Sequence, residues 1–191
     1  WSATPPSERA RLLNRLADLI ERDHDLLATA ESRDCGKPVA LARSLDIPRA
    51  AANFRFFAAA ATQFASESHG MESQGFNYTL RQPLGVVACI SPWNLPLYLL
   101  SWKIAPALAA GNAVVAKPSE VTPATAWLLS RLAVEAGLPP GVLNILHGTG
   151  AGVGAALVAH PEVKAISFTG STRVGAAIAA EHSVYDLVGG A

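Results

Sequence analysis

The feature that most constrains the fold is a regular alternation of short apolar runs with helix-length segments between Leu84 and Ala180. The apolar runs, each of strand length, occupy residues 86–90, 113–117, 142–146 and 165–168. The segments with helical character that follow them occupy residues 97–110, 123–136, 151–159 and 171–180. Strands that alternate with helices form parallel sheets through right-handed crossovers, with helices on the sheet faces. The sequence therefore predicts an α/β fold built on a parallel sheet.

The segments that precede this alternation have a different character. Apolar residues recur at helical spacing over residues 7–22, and a second short helix is predicted to end at Gly36. A third helical region runs from residue 39 to about 66, with an expected break at Pro48. Residues 76–82 alternate between apolar and polar side chains, which predicts a strand that forms an arm or ribbon outside the sheet. An N-terminal helical region therefore precedes the sheet.

Composition limits the partners and the location that we expect. The 191 residues include 15 acidic and 15 basic side chains, so no net charge favours nucleic acid or an anionic membrane as a partner. The most apolar region, residues 84–116, is interrupted by prolines and polar residues, whereas a membrane span needs about 20 apolar residues without such breaks. Cys35 lies in a polar turn and Cys89 in an apolar strand, so we expect no disulfide and a cytoplasmic location. The histidines lack metal-site spacing, so we expect no bound metal. The chain opens without methionine or a signal peptide, which predicts a fragment.

Polar side chains follow the first two strands of the predicted sheet. Asn94 lies in a turn stiffened by Pro92 and Pro96, where a fixed amide would stabilise a developing oxyanion, although an Asx turn is the alternative. Lys117 and Glu120 lie in the turn after the second strand, where the two side chains could hold a ribose diol. The alternative for Lys117 and Glu120 is a surface ion pair that caps the next helix. Because α/β proteins bind ligands at the carboxyl ends of parallel strands, this edge is the predicted site.

Two further strand-to-helix turns contain glycine. Residues 148–155 read Gly-Thr-Gly-Ala-Gly-Val-Gly-Ala, which includes the G-x-G-x-x-A form of the dinucleotide fingerprint. The acid that this fingerprint requires about 20 residues later is absent, so an ordinary glycine-rich turn is an equal alternative. Residues 169–172, Thr-Gly-Ser-Thr, begin a helix, and their free N–H groups suit either a pyrophosphate or a simple N-cap.

Five segments occur in a characteristic order and spacing. They are Ile-Ser-Pro-Trp-Asn-Leu-Pro at 90–96, Lys-Ile-Ala-Pro-Ala-Leu-Ala-Ala-Gly-Asn at 103–112, Lys-Pro-Ser-Glu at 117–120, Gly-Leu-Pro-Pro-Gly-Val-Leu-Asn at 137–144 and Phe-Thr-Gly-Ser-Thr at 168–172. Together they closely resemble the aldehyde dehydrogenase superfamily, and the likeness extends over residues 1–180. Residues 46–50, 53–57 and 97–103 look most similar to the 2-aminomuconic semialdehyde dehydrogenase branch.

The resemblance implies a truncated aldehyde dehydrogenase fold, with a partial Rossmann-like sheet and NAD as cofactor. Asn94 matches the side-chain donor of the oxyanion hole, Lys117 and Glu120 match the pair that holds the adenine ribose, and Ser171 matches a pyrophosphate contact. The other implied cofactor contacts are Ile90, Trp93, Ser119, Gly150, Gly154, Phe168, Gly170 and Val174. The implied domains are residues 1–64 with 84–180 as part of the NAD-binding domain, and residues 65–83 as a strand of the oligomerisation ribbon.

The resemblance also implies two catalytic residues that lie beyond this chain. In the family a cysteine thiolate attacks the aldehyde, hydride passes to NAD, and a glutamate activates the water that releases the acid. The unmatched tail at 181–191 has Asp186 where that glutamate would stand, and neither Cys35 nor Cys89 is a substitute for the nucleophile. We therefore expect the catalytic domain to be absent, the chain alone to be inactive, and the full-length protein to be a homo-oligomer that oxidises an aldehyde, such as 2-aminomuconic semialdehyde. The alternative is a truncated, non-catalytic nucleotide-binding or interaction module.

Overall fold

The computed structural model describes residues 1–72 and 75–181, and its N-terminal region is helical. The helices are α1 (Pro6–Arg22), α2 (His24–Cys35), α3 (Val39–Leu41) and α4 (Ile47–Ala61). A π-helical turn, Ala42–Asp46, joins α3 to α4 without interruption, so the expected break at Pro48 is wrong. Proline cannot donate a main-chain hydrogen bond, and the helix accommodates Pro48 by widening for one turn just before it.

A two-stranded antiparallel ribbon follows the helices. It consists of β1 (Ser68–Gly70) and β2 (Phe76–Tyr78). The strand predicted at residues 76–82 ends at Tyr78, and the sequence did not predict β1, because Ser-His-Gly has no apolar alternation. Both strands are exposed, and the rings of Phe76 and Tyr78 stack with their centroids 6.2 Å apart. The assignment of this ribbon to an oligomer interface stays a prediction.

The remaining elements form the parallel sheet and its helices. The strands are β3 (Val86–Ile90), β4 (Ala113–Lys117), β5 (Leu143–Ile145) and β6 (Val163–Phe168). The helices are α5 (Pro96–Ala109), α6 (Ala124–Ala136), α7 (Ala155–Val158) and α8 (Thr172–Glu181). The predicted alternation is confirmed, except that the helix expected at 151–159 begins with a π-helical turn, Gly150–Gly154, before α7. Residues 182–191 of the predicted tail lie outside the described residues.

Strand order creates a switch point beside β3. The order is β5-β4-β3-β6, with every pair parallel, so the chain builds outward from β3 in one direction and then returns to its other side. At the carboxyl edge, Ile90 is paired with Lys117 of β4 on one side and with Phe168 of β6 on the other. Doubly wound sheets bind ligands in the crevice outside such a point, because the flanking connections diverge there. The topology therefore selects one place on the sheet for a ligand.

The core covers both faces of β3 and leaves only its ends free. Val87 and Cys89 face the larger cluster, which includes the fully buried Leu100 of α5 and the inner faces of α1, α4 and α6. Ala88 faces the opposite way, into a smaller cluster with Leu157 of α7. Each large apolar side chain buried in this way contributes about 1.5–3 kcal/mol to folding. Within the described residues, no helix combines the length and the apolar character that crossing a membrane requires.

Candidate functional site

A groove opens at the carboxyl edge of the sheet, at the switch point. Its volume is about 750 Å³, within the range of about 300–1,000 Å³ that is usual for small-molecule and cofactor sites. The residues implied by the resemblance that line it are Ile90, Trp93, Lys117, Ser119, Glu120, Gly150, Gly154, Phe168, Gly170 and Val174. Asn94 and Ser171, the other two, are not in the groove wall but follow directly on residues that are. The structure thus brings the ends of β3, β4 and β6, and the glycine-rich turn that follows β5, to one site.

The loop between β3 and α5 carries Asn94 at the surface. Pro96 occupies the first position of α5. Like every proline, it has no backbone N–H to donate. An Asx turn needs the backbone N–H two residues after the asparagine, which here is Pro96, so the Asx-turn alternative does not apply to Asn94. The side chain of Asn94 is exposed beside the groove, and its backbone carbonyl accepts a hydrogen bond from Lys37 Nζ at 3.0 Å. The amide is consequently available to an external acceptor.

Lys117 and Glu120 form an ion pair at the end of β4. Lys117 is buried, and its Nζ donates to Glu120 Oε2 at 2.7 Å, while Glu120 Oε1 accepts from the backbone N–H of Gly150 at 3.3 Å. These hydrogen bonds, that from Lys117 above all, lower the pKa of Glu120 to about 2, so its carboxylate is ionised at neutral pH. The first N–H of α6, at Ala124, is instead bonded to Asp34 Oδ2 at 2.7 Å. Glu120 therefore does not cap α6, and its carboxylate faces the groove.

The glycine-rich turn after β5 is held by a hydrogen bond to the side chain of Thr149, a residue of the turn itself. Thr149 Oγ1 accepts from the backbone N–H of Gly152 at 3.1 Å, which is an N-cap, and the N–H of Gly150 is directed to Glu120. Two N–H groups that would cradle a phosphate are thus already used. The turn brings Gly150 and Gly154 beside the Lys117–Glu120 pair, at the β4–β5 end of the groove.

The loop between β6 and α8 forms the opposite wall. The N–H of Thr169 donates to the carbonyl of Ile90 at 3.1 Å, which holds this loop to the end of β3. Ser171 Oγ accepts from the N–H of Val174 at 3.3 Å, so Ser171 is the N-cap of α8. A Cβ at Gly170 would lie 2.5 Å from Cζ of Phe168, which explains why the position beside that ring is glycine.

Several residues of the site were not predicted from the sequence. The additional groove-lining residues are Ser91, Pro92, Val121, Ala155, Val158, Thr169, Arg173, Ala177, Ile178 and Glu181. The helical spacing of Val174, Ala177 and Ile178 could have indicated an apolar face of α8 turned toward the groove. Lys103 is also new: it is buried, burial lowers its pKa, and its Nζ donates to Thr169 Oγ1 at 2.5 Å.

The two cysteines lie away from the groove wall. Both Cys35 and Cys89 are free thiols, and neither lines the groove. Burial raises the pKa of Cys89 to about 12, so its thiolate is not populated at neutral pH. The groove therefore offers binding and hydrogen-bonding groups from the described residues, without a thiolate nucleophile.

Fold and groove together define a doubly wound α/β protein whose polar side chains converge at the carboxyl edge of its sheet. Residues 1–187 match the Aldehyde dehydrogenase family, and the chain belongs to that family of oxidoreductases. It is 60% identical over 172 residues to the 2-aminomuconic semialdehyde dehydrogenase of Bos taurus, covering 90% of this chain and 35% of that protein. It is 50% identical over 183 residues to the 2-hydroxymuconic semialdehyde dehydrogenase of Pseudomonas sp. (strain CF600), covering 93% of this chain and 38% of that protein. The chain thus spans little more than a third of the length of these relatives.

Solved structures have the same fold. A putative aldehyde dehydrogenase from Burkholderia cenocepacia superposes with a TM-score of 0.94 at 46% identity, over 98% of this chain and 38% of that one. PnpE in complex with nicotinamide adenine dinucleotide superposes with a TM-score of 0.93 at 44% identity, over 98% of this chain and 38% of that one. The predicted resemblance and the predicted fold are therefore confirmed.

Proposed function

We propose that the groove binds NAD, with the adenine ribose at Lys117 and Glu120 and the nicotinamide end toward Asn94. The observation that carries this proposal is the Lys117–Glu120 pair, which places one buried ammonium and one ionised carboxylate at the carboxyl edge beside the switch point. A ribose diol needs both a donor and an acceptor, and this pair supplies them. The N-terminus of α8 at Ser171 provides free N–H groups and a favourable dipole for the pyrophosphate. The similarity to NAD-bound PnpE supports the same ligand.

We further propose that the whole protein uses this groove to oxidise an aldehyde to a carboxylic acid. Bound NAD supplies the hydride acceptor. Asn94 donates its side-chain N–H to the oxygen of the reacting carbonyl and stabilises negative charge as it develops there. The names of the relatives favour a semialdehyde that also carries a carboxylate, of the 2-aminomuconic or 2-hydroxymuconic type.

By itself the chain is expected to bind NAD without turning over aldehydes. Its sequence contains two cysteines, and both lie away from the groove. Calorimetric titration of the chain with NAD, followed by an assay of NADH formation with a semialdehyde, tests both statements. Saturable binding without NADH is the expected result. Cysteine-dependent turnover by the chain alone would contradict the assignment of the nucleophile, and absence of NAD binding would contradict the groove.

Gly154 offers a specific test of where NAD lies. Gly154 is buried, yet a Cβ placed on it would find only the carbonyl of Thr149, at 3.9 Å, and its backbone is helical. The free space above it is therefore the groove. Gly154→Leu should weaken NAD binding at least tenfold, a loss of about 1.4 kcal/mol, because the side chain occupies the ligand volume. Calorimetry checks this.

The melting temperature of Gly154→Leu should stay at or above that of the wild type, because glycine in a helical position is less stable than other residues by about 0.5–1 kcal/mol. Ala156→Leu is the matched control: it introduces the same side chain at an exposed position of α7 that does not line the groove. Equal NAD affinity in the Gly154→Leu variant and the wild type would contradict the placement of NAD beside Gly154.

We also propose that the ribbon of β1 and β2 associates with other copies in a homo-oligomer of the whole protein. Phe76 and Tyr78 expose 68% and 63% of their surfaces and stack on one side of this ribbon. Exposed aromatic pairs on an unpaired strand edge are typical of association surfaces. This feature also favours the second candidate function, a non-catalytic interaction module, which predicts association without any aldehyde oxidation by the whole protein.

The ribbon proposal predicts a change in assembly. Replacing Phe76 and Tyr78 together by serine should reduce the mass of the whole protein in solution to that of a smaller assembly, measured by light scattering after size exclusion. Phe56→Ser is the control, because Phe56 is equally exposed, at 67%, but lies on α4. An unchanged mass in the ribbon variant, or the same loss in the Phe56 variant, would contradict a specific role for the ribbon.

A further inference from the structure

The helix α2 supports the helix that follows the Asn94 loop. Glu31 is fully buried, and its Oε2 accepts a hydrogen bond from the backbone N–H of Leu97, in the first turn of α5, at 3.2 Å. One turn further along α2, Asp34 accepts from Ala124 at the start of α6. Carboxylates are favoured at helix N-termini, where N–H groups lack partners within the helix. Two of the helices that follow groove loops, α5 and α6, thus begin on side chains of α2.

Lys37, just beyond the end of α2, contacts the Asn94 loop directly. Gly36 ends α2 in the left-handed conformation, at φ +74°, and turns the chain so that Lys37 follows. The ammonium of Lys37 is bonded to the carboxylate of Asp46 in the π-helical turn, and it donates to the backbone carbonyl of Asn94 at 3.0 Å. Only 11% of the Lys37 side chain is exposed, and that of Asp46 is fully buried. The ammonium is therefore held by a buried partner, and from there it reaches the Asn94 carbonyl at the protein surface.

Two buried carboxyl groups, those of Glu31 and Asp46, lie near one ammonium, that of Lys37. Glu31 Oε1 lies 3.9 Å from Lys37 Nζ, so two acids share one base. Burial, and then the neighbouring charge of Asp46, raises the pKa of Glu31, while the nearby Thr125 hydroxyl, the hydrogen bond from the Leu97 N–H and the charge of Lys37 oppose the rise. Lys37 and Asp46 form the ion pair of this cluster, and the raised pKa of Glu31 favours the neutral form of its carboxyl group. One N–H of Lys37 is directed at the carbonyl of Asn94.

We propose that Lys37 is a positioning residue, which fixes the direction of the Asn94 amide through the Asn94 backbone carbonyl. Pro92 and Pro96 restrict the chain on either side, and the residue before a proline is restricted as well. The backbone torsions of Trp93 and Asn94 are not restricted in this way, and the hydrogen bond from Lys37 to the Asn94 carbonyl limits them. This inference rests on the proposed role of Asn94 as oxyanion donor. Lys37 does not line the groove, so Lys37 should affect the chemical step and not the binding of NAD.

The test replaces Lys37 by methionine in the whole encoded protein. We expect kcat to fall about tenfold or more, because small misplacements of a catalytic group have effects of about that size or larger. The dissociation constant of NAD should stay within about twofold of the wild-type value. A tenfold change would correspond to a loss of about 1.4 kcal/mol of binding free energy. Lys164→Met is the matched control: Lys164 also donates to a backbone carbonyl, that of Pro161 at 2.8 Å, but it is exposed at the start of β6. It should keep its kcat.

A double-mutant cycle separates positioning from general support of the fold. Lys37→Met should cost little further kcat in an Asn94→Ala background, because the amide that it positions is gone. Lys37→Arg should recover part of the loss through its own N–H groups. Equal losses in both backgrounds, or unchanged kcat in Lys37→Met, would overturn the proposal.

Two further measurements keep the proposal testable. If Lys37→Met does not fold because Asp46 is left charged and unpaired, Lys37→Met with Asp46→Asn removes that charge and still lacks the donor to Asn94; the same loss of kcat is expected.

If the wild-type protein oxidises no aldehyde, the proposed function fails by itself. The Lys37 contact is then tested by the emission of the adjacent Trp93, isolated by subtracting the Trp93→Phe spectrum. It should shift in Lys37→Met and not in Lys164→Met, and an unchanged emission would overturn the contact.

Discussion

Replacing Asn94 by alanine should lower the kcat of the whole encoded protein by about 10²–10³, the usual effect of removing one oxyanion donor. The loss is expected because, in the proposed role, the amide of Asn94 stabilises charge that develops on the carbonyl oxygen only during the reaction. Steady-state kinetics with a semialdehyde and NAD measures it. The dissociation constant of NAD should remain within about twofold of the wild-type value. A tenfold change would correspond to about 1.4 kcal/mol of binding free energy.

Stability should hardly change in the same variant. Asn94 is exposed, and exposed substitutions usually alter the free energy of unfolding by less than about 0.5 kcal/mol. Asn14→Ala, which removes an exposed asparagine from α1, serves as a control and should leave kcat unaltered. A variant at Asn94 that retained wild-type kcat would remove this residue from the chemistry. One that lost kcat together with several kcal/mol of stability would show that its role is structural.

Replacing Glu120 by lysine should change the preference between NAD and NADP by about a hundredfold in the ratio of their dissociation constants. At neutral pH the carboxylate of Glu120 is ionised, because hydrogen bonds from Lys117 and from backbone N–H groups lower its pKa to about 2. It therefore repels a 2′-phosphate, whereas an ammonium attracts one, and a charge-assisted hydrogen bond contributes about 1.5–3 kcal/mol. Fluorescence titration of each nucleotide provides the ratio.

Glu120→Gln is the control for charge alone, and it should give an intermediate ratio. Its effect on stability should depend on pH. A carboxyl group whose pKa is lowered in the folded state stabilises that state above the unfolded pKa, about 4.3, and the contribution is lost as pH falls toward 2. Wild-type and Glu120→Gln melting temperatures should therefore converge over that interval. If Glu120→Lys left the preference between NAD and NADP unchanged, the carboxylate would not lie at the ribose.

The sequence predicts the sheet well because its signals are local. Residues 86–90 and 113–117 are apolar runs of strand length, and the structure places strands at those residues. The polar residues that end these strands, Asn94 and Lys117 among them, were correspondingly easy to identify as candidates. Strand order, by contrast, cannot be predicted from local sequence. β6 pairs with β3 because of how the crossover packs across the sheet, and no local pattern at residues 163–168 indicates which strand lies beside them.

The supports behind the site were harder to predict for a related reason. Lysine and aspartate are usually exposed, so nothing in the sequence indicates that Asp46 and Lys103 are buried and that Lys37 is half-buried. Their roles depend on contacts such as that of Lys103 with Thr169, 66 positions apart in the chain. A buried charge is stable only with a partner, and such partners come together only in the folded chain.

NAD should lie in the groove at the carboxyl edge of the sheet, and a crystal structure of the protein with NAD would show whether it does. The predicted result places the adenine ribose hydroxyls within hydrogen-bonding distance, about 2.7–3.2 Å, of Glu120 and Lys117. The pyrophosphate should lie at the start of α8, and the nicotinamide end should extend toward Asn94. NAD bound outside this groove, or bound in it with its ribose away from Glu120 and Lys117, would contradict the claim.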